Sequence, residues 1–388
     1  MTESTQRGKR LCVVVSSPMT LQVFLSPHLA SLVREYEVTV VANFSQDSGE
    51  QFGLPGVRFK HLNLVRKVYP LLDVISVVRL WSFFRRGDFD AVISVTPKAG
   101  LVAALAGFMA RVPTRIHWFT GQVWATKRFP ARGILKAADR LIVRLITAGL
   151  VDGPSQLHYL RDQGIDEGRK LEVLLHGSIS GVNSDRFKPD EIARKSARNE
   201  LGIPADSPLI LYIGRINKDK GVLDLAHSLA EMRGDLNAES LFVGPDEERL
   251  SPTIEATLAA SGKRVTVLPL TPSPERYLAA ADFLCVPSYR EGFGTVVLEA
   301  AACGLPAIVS DIYGLKDCVV PEQTGLSYPL GNREKLTEAL NRLAGSASLR
   351  AKMGHEARTF ALGHFSQKDI VNEFSIYVGN QLNRQNSG

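Results

Sequence analysis

The chain has 388 residues, 45% of them hydrophobic and 22% charged, an ordinary composition for a folded protein and enough length for two domains. Its four cysteines, Cys12, Cys285, Cys303 and Cys318, lack CxxC spacing, which argues against a zinc knuckle or a disulfide framework and fits a reducing compartment. The net charge of +6 is uneven: residues 1–150 hold 20 Lys and Arg against 9 Asp and Glu (+11), the remainder 26 against 31 (−5), so the first half suits anionic lipid or a phosphorylated substrate. With no aromatic spacing of an RNA-binding sheet and no helix-turn-helix pattern, no nucleic-acid partner is expected.

At the start, "TQRGKR" leads into only five apolar residues, Leu11 to Val15, before Ser16, Ser17 and Pro18. A secretory core needs about 7–15, and a membrane span about 18, which no stretch reaches. Ala99 to Ala110 reads as a buried helix. A cytoplasmic protein is expected.

Short runs rich in Val and Ile alternate with helical patterns. "LCVVVSS", "EVTVVAN", "DAVISVTP" and "RIHWFTG" come first; "LILYIGR", "AESLFVGP", "RVTVLPL", "DFLCVPS" and "PAIVSD" come second. Continuous apolar strands suit parallel sheets covered on both faces, and the alternation indicates βαβ units. The series starts twice, which predicts two doubly wound, Rossmann-like domains. Their expected bounds are 1–180 and 181–365, with a helix in 366–388 returning to the first domain. The junction, residues 177–207, is polar with Gly, Ser and Pro, and "PDEIARKSARNELG" within it reads as one helix. The tail "NRQNSG" is expected to be disordered.

Several stretches carry chemistry. Residues 65–86 mix Leu, Val, Trp81, Phe83 and Phe84 with Arg66, Lys67, Arg79, Arg85 and Arg86, a combination suited to a lipid headgroup boundary. Asp88-Phe89-Asp90 matches the DXD pattern of metal-dependent transferases, but it precedes the amino end of "AVISV" and reads as a loop. Lys98 sits in a strand-to-helix turn of the basic first half, a cation suited to a phosphate. After "LILYIG", the turn "GRINKDKG" places Gly214 at a strand end and two cations, Arg215 and Lys220, five residues apart. A pyrophosphate outside the carboxyl ends of the strands needs such cations. In "SYREGFGTVVLEAAACG", Gly294 and Thr295 open a helix whose amides suit a phosphate. Glu291 then lies in the loop beside that phosphate, and Glu299 about a turn inside the helix, placed for sugar or ribose diols. A retaining glycosidase pair fits less well. Its carboxyls stand about 5–5.5 Å apart, whereas eight helical residues rise about 12 Å.

These stretches together resemble family 4 retaining glycosyltransferases. "EGFGTVVLE" is similar to that family's two-glutamate signature, "GRINKDKG" to its second-domain phosphate loop, and "DRFKP" to its interdomain segment. "TPKAG" and "HWFTGQVW" resemble the branch that extends lipid-linked sugars in bacterial surface-glycan and glycoprotein assembly. The resemblance implies a glycosyltransferase-B fold with two Rossmann-like domains facing a cleft. It implies transfer from a nucleotide sugar, favoured as a UDP-sugar, to a polyprenyl-diphosphate saccharide, with retention and with no metal or other cofactor. The enzyme would be a hexosyl- or N-acetylhexosaminyl-transferase attached peripherally to the inner face of the cell membrane. Carried over by motif position, Gly214, Arg215, Lys220, Gly292, Phe293, Gly294 and Thr295 hold the donor phosphate and sugar, Glu291 bonds sugar hydroxyls, and Glu299 bonds the ribose. His117 matches the first-domain histidine that faces the reacting sugar. Lys98, Gln122, Ser16 and Ser17 are acceptor-side candidates. The family's glycine-rich loop after the first strand is missing, since that stretch reads "SSPMTLQVF". A sugar-nucleotide 2-epimerase shares the architecture and is the alternative reading.

Overall fold

Alternate residues of a strand point to opposite faces, so a strand that is apolar throughout feeds two cores. The computed structural model, which describes residues 8–44, 52–64 and 69–384, shows this in both halves of the chain. In Arg10–Val14, Leu11 and Val13 enter one buried cluster, while Cys12 and Val14 enter another. In Leu209–Ile213, Leu209 and Leu211 go to one side and Ile210 and Tyr212 to the other. Two compact units result: Met1–Ser180 with Lys368–Gly388, and Gly181–Gln367.

Among the described residues the first unit holds seven parallel strands: β1 (Arg10–Val14), β2 (Glu37–Ala42), β3 (Arg58–His61), β4 (Ala91–Val95), β5 (Thr114–Phe119), β6 (Ala148–Val151) and β7 (Leu171–Val173). Their order is β3-β2-β1-β4-β5-β6-β7. The second unit holds six: β8 (Leu209–Ile213), β9 (Glu239–Val243), β10 (Val265–Leu268), β11 (Phe283–Val286), β12 (Ala307–Ser310) and β13 (Gly325–Tyr328), ordered β10-β9-β8-β11-β12-β13. In each unit the chain winds to one side of its first strand and then to the other. That creates a topological switch point, β1/β4 in the first unit and β8/β11 in the second, where ligands of open α/β sheets bind at the carboxyl ends.

The predicted junction helix forms as Glu191–Leu201. Asp190 caps it through Oδ1, which accepts the Ala193 N–H at 2.8 Å, and Gly202 ends it at φ 64°. The last helix, Gln367–Arg384, buries Phe374, Tyr377, Val378 and Leu382 in the first unit's core. Asn383 and Arg384, expected to be disordered, complete that helix. The rest of the predicted tail, 385–388, lies outside the described residues, as do Arg66 and Lys67.

Candidate active site

In the second unit, three loops leave the carboxyl ends of neighbouring strands at the switch point. The β8 loop runs through Gly214 and Arg215 into a short turn, Lys218–Lys220, capped by Asn217, whose Oδ1 accepts the Lys220 N–H at 3.1 Å. Gly221 ends the turn at φ 68°, and a Cβ there would meet the Pro287 carbonyl at 2.0 Å. The left-handed φ and the close backbone approach both demand glycine. The contact seats the β8 loop on the β11 loop, and the Tyr289 N–H adds a bond to the Asp219 carbonyl at 2.9 Å.

This docking brings Lys220 to Glu291. The Lys220 ammonium pairs with Glu291 Oε1, which also accepts the Ser288 hydroxyl at 2.8 Å. Both charged side chains are mostly shielded, at 15% and 16% exposure. Arg215 pairs with Glu247 of the β9 loop, Nη1 to Oε2 at 3.0 Å, and Asn217 Nδ2 donates to the same oxygen at 2.8 Å. Three of the residues organising this site, Glu247, Asn217 and Ser288, were not singled out from sequence. The available signal was the acidic run "DEE" directly after the strand "AESLFVGP".

The helix Thr295–Ala302 follows the β11 loop, with Gly294 at its N-cap. The Thr295 N–H meets the Phe293 carbonyl at 3.0 Å. Gly292 is buried, and the Phe293 ring is part of the core, 5.5 Å from the Phe365 ring, leaving only backbone from this pair for a ligand. Glu299 is partly buried on the helix. Desolvation pushes its carboxyl up to about 7, against the pull of Arg186, while Glu275 adds to the rise.

The first unit gathers a different set. At its switch point the Ser16 hydroxyl meets the Thr96 hydroxyl at 2.9 Å. Thr96 holds φ 79°, a strained conformation for a β-branched residue. The glycine-free stretch after β1 enters a helical turn directly. Ser17 caps Met19 at 3.3 Å, and Pro18 takes the first helical position. Lys98 pairs with Asp73 at 2.6 Å, so the cation expected for an acceptor phosphate is already engaged by a carboxylate. Gln122 is buried and accepts from Gln156 Nε2 at 3.3 Å, a packed arrangement and not a free acceptor contact. Asp90 Oδ2 accepts the Arg10 N–H at 2.7 Å, at the amino ends of β1 and β4 and opposite the switch point.

His117 departs most from expectation. Its ring is fully buried, Nδ1 lies 2.9 Å from Ser94 Oγ, and Phe119 meets it edge-on at 4.4 Å. A Cβ on Gly100, in the helix Pro97–Met109, would fall 2.3 Å from the ring. Burial lowers its pKa to about 3, so the imidazole is neutral. As placed, the ring lies beneath the helix, with its Nε2 buried and without a hydrogen-bond partner among the described residues. Alanine normally outranks glycine in helices, but Gly100→Ala should destabilise the protein by about 1–3 kcal/mol through overpacking against His117. The denaturant midpoint of the first unfolding transition checks this; an unchanged or higher midpoint would contradict the packing.

Two parallel α/β units with charged loops at the carboxyl edge define the glycosyltransferase-B class of fold. The model for glycosyl transferases group 1 matches residues 193–360, and that for the glycosyl transferase 4-like domain matches residues 25–174. Together they span most of the chain, which belongs to the family 4-like glycosyltransferases. Staphylococcus aureus CapM, a capsular polysaccharide biosynthesis glycosyltransferase, is 27% identical over 309 residues, covering 79% of this chain and 80% of CapM. A D-inositol 3-phosphate glycosyltransferase of Mycobacterium avium is 29% identical over 372 residues, covering 87% of this chain and 84% of that protein. Among solved structures, Anabaena HepE in complex with UDP and glucose superimposes with a TM-score of 0.80 at 18% identity, covering 96% of this chain and all of HepE's. These relatives are glycosyltransferases, and the epimerase reading is not favoured.

Proposed function

We propose that the chain transfers a sugar, with retention, from a UDP-sugar to a polyprenyl-diphosphate saccharide in bacterial surface-glycan assembly, as a hexosyl- or N-acetylhexosaminyl-transferase. The observation that carries this reading is the convergence of Lys220, Glu291 and Arg215 at the β8/β11 switch point. CapM's role in capsular polysaccharide and the UDP and glucose bound to HepE support the substrate classes. The donor belongs to the second unit and the acceptor to the first.

In this reading the diphosphate displaces the carboxylates that now hold the two cations. Lys220 turns from Glu291, and Arg215 from Glu247, to the phosphate oxygens. Glu291 Oε1 is held by Ser288, and its other oxygen accepts donor-sugar hydroxyls. The Gly294 amide lies beside the sugar or phosphate. The acceptor oxygen attacks the anomeric carbon on the face from which UDP leaves. Its proton passes to the departing β-phosphate. Fixed cations stabilise the charge growing there, the task a metal performs in other transferases. Transfer should therefore survive EDTA; loss on chelation with recovery on adding a divalent ion would contradict the metal-free mechanism.

Glu299 bonds the ribose diol as a carboxylate. With its pKa near 7, affinity for a UDP-sugar should rise from pH 6 to 8, a window in which the diesterified phosphates do not titrate. Glu299→Gln should flatten the profile; a profile unchanged by that substitution would remove Glu299 from the ribose. The same shift sets a stability trend. The folded carboxyl keeps its proton above the unfolded value of 4.5, so its contribution is fully present below about 4.5 and is lost as pH rises through 7. A mass-spectrometric screen of UDP-sugars against short polyprenyl-diphosphate saccharides tests the whole reading. Gain of one sugar by the acceptor is expected; conversion of donor without acceptor would contradict it.

A further inference from the structure

Three consecutive residues of the β11 loop reach across to the β8 loop and its helix, and each meets a different partner. Glu291 pairs with Lys220. Arg290 Nη2 stands 3.7 Å from Asp219 Oδ2. The Tyr289 hydroxyl donates to Asp224 Oδ2 at 2.6 Å, in the first turn of the helix Val222–Ala230, and the Tyr289 N–H takes the Asp219 carbonyl. Asp219 and Lys220 are neighbours, as are Arg290 and Glu291, so two ion pairs of opposite sense bridge the same two loops.

In the proposed reaction the diphosphate takes Lys220 from Glu291, and one of these bridges opens. What then holds the turn is the Gly221–Pro287 approach, the two Tyr289 bonds and the Arg290–Asp219 pair. The bond to Asp224 raises the Tyr289 phenol to about 12, so it stays a donor at neutral pH. Arg290 is less well served. Its side chain is 16% exposed, its Nε is buried and has no hydrogen-bond partner among the described residues, and 3.7 Å to Asp219 makes an ion pair without a hydrogen bond. Shielding a guanidinium with so little compensation is costly, and an apolar side chain of similar volume would fill the space without that cost. Packing therefore does not explain the charge. Its neighbour does: Asp219 stands between Lys218 and Lys220, in the turn that presents Lys220. An unneutralised carboxylate at that point repels an incoming diphosphate and competes with it for the Lys220 ammonium, and the guanidinium cancels much of that field.

We infer that Arg290 is a positioning residue of the donor site: by neutralising Asp219 it holds the Lys218–Lys220 turn on the β11 loop once Lys220 has left Glu291, and keeps the Lys220 ammonium available to the diphosphate. Arg290 acts through Asp219 and itself touches no substrate. The inference rests on the placement of the diphosphate at Lys220 proposed above and adds a residue pair to it.

The test is titration of the full chain with UDP by calorimetry and with uridine, which lacks the diphosphate, by NMR. ADP with adenosine and GDP with guanosine are titrated beside them, and the variants are read with whichever diphosphate the unmodified chain binds. Arg290→Gln should weaken the diphosphate about tenfold and leave the nucleoside unchanged. Asp219→Asn should weaken it less than about threefold. Arg290→Gln/Asp219→Asn should recover to within about threefold of the unmodified chain, because removing the carboxylate removes the need for the guanidinium. Arg290→Lys, which keeps the charge, should fall between. Should Arg290→Gln not fold, Arg290→Lys with and without Asp219→Asn carries the same comparison. A merely structural Arg290 would weaken nucleoside and diphosphate together and gain nothing from the second substitution; either result overturns the inference. So does an Arg290→Gln variant that binds the diphosphate as tightly as the unmodified chain, which leaves the donor reading standing. An unmodified chain that binds none of the three diphosphates overturns both.

Discussion

Glu291→Gln should lower turnover about 100- to 1,000-fold while changing UDP affinity less than about threefold. Glutamine keeps the shape but puts an amide donor where sugar hydroxyls need an acceptor, and it removes the charge that now holds Lys220. Because both side chains are mostly shielded, the lost interaction is weakly compensated by water. The fold-change corresponds to about 3–4 kcal/mol, the scale of a lost transition-state contact. Glu299→Ala should act differently, weakening UDP itself about tenfold through the lost ribose bonds. Calorimetric titration with UDP beside steady-state rates separates the two. Equal loss of UDP affinity in both variants would end this division of labour.

Lys220→Ala should cost on the order of 2–4 kcal/mol in transition-state stabilisation, seen as a fall in kcat. Arg215→Ala should cost the same or somewhat less. Arg215 is more exposed, at 30% against 15%, so water replaces more of its field. Lys220→Ala also strands Glu291 without its cation. Single-turnover rates at saturating donor report the chemical step; a Lys220→Ala rate within tenfold of the parent would show that the ammonium does not meet the leaving group.

The repeating strand–helix pattern was legible because buried parallel strands are continuous apolar runs, and the double start revealed two sheets. The β8 and β11 loops stood out as candidates through their resemblance to the family's motifs, since a turn bearing Lys and Arg is by itself most often simply solvated. Side-chain direction was not legible. His117 carries the chemistry of a site residue, yet Gly100, seventeen positions earlier, opens the space into which its ring turns. Lys98 looked free because Asp73, which neutralises it, lies on another helix. Glu247 was missed for the same reason: its partners Arg215 and Asn217 are about thirty residues away and meet it only once β8 and β9 pair. Residues 65–86 mix apolar, aromatic and basic residue types in sequence, and 65–68 lie outside the described residues. Only the helix Pro70–Gly87 showed that its open apolar side is the first turns, separate from Arg85 and Arg86.

The central claim is that the donor diphosphate sits at the β8/β11 switch point and takes over the cations now held by Glu291 and Glu247. A crystal structure with UDP tests this most directly. The account predicts phosphate oxygens within hydrogen-bond distance of Lys220 Nζ and Arg215, the Lys220–Glu291 pair opened, and the ribose on Glu299. A diphosphate bound elsewhere, with both ion pairs intact, would contradict it.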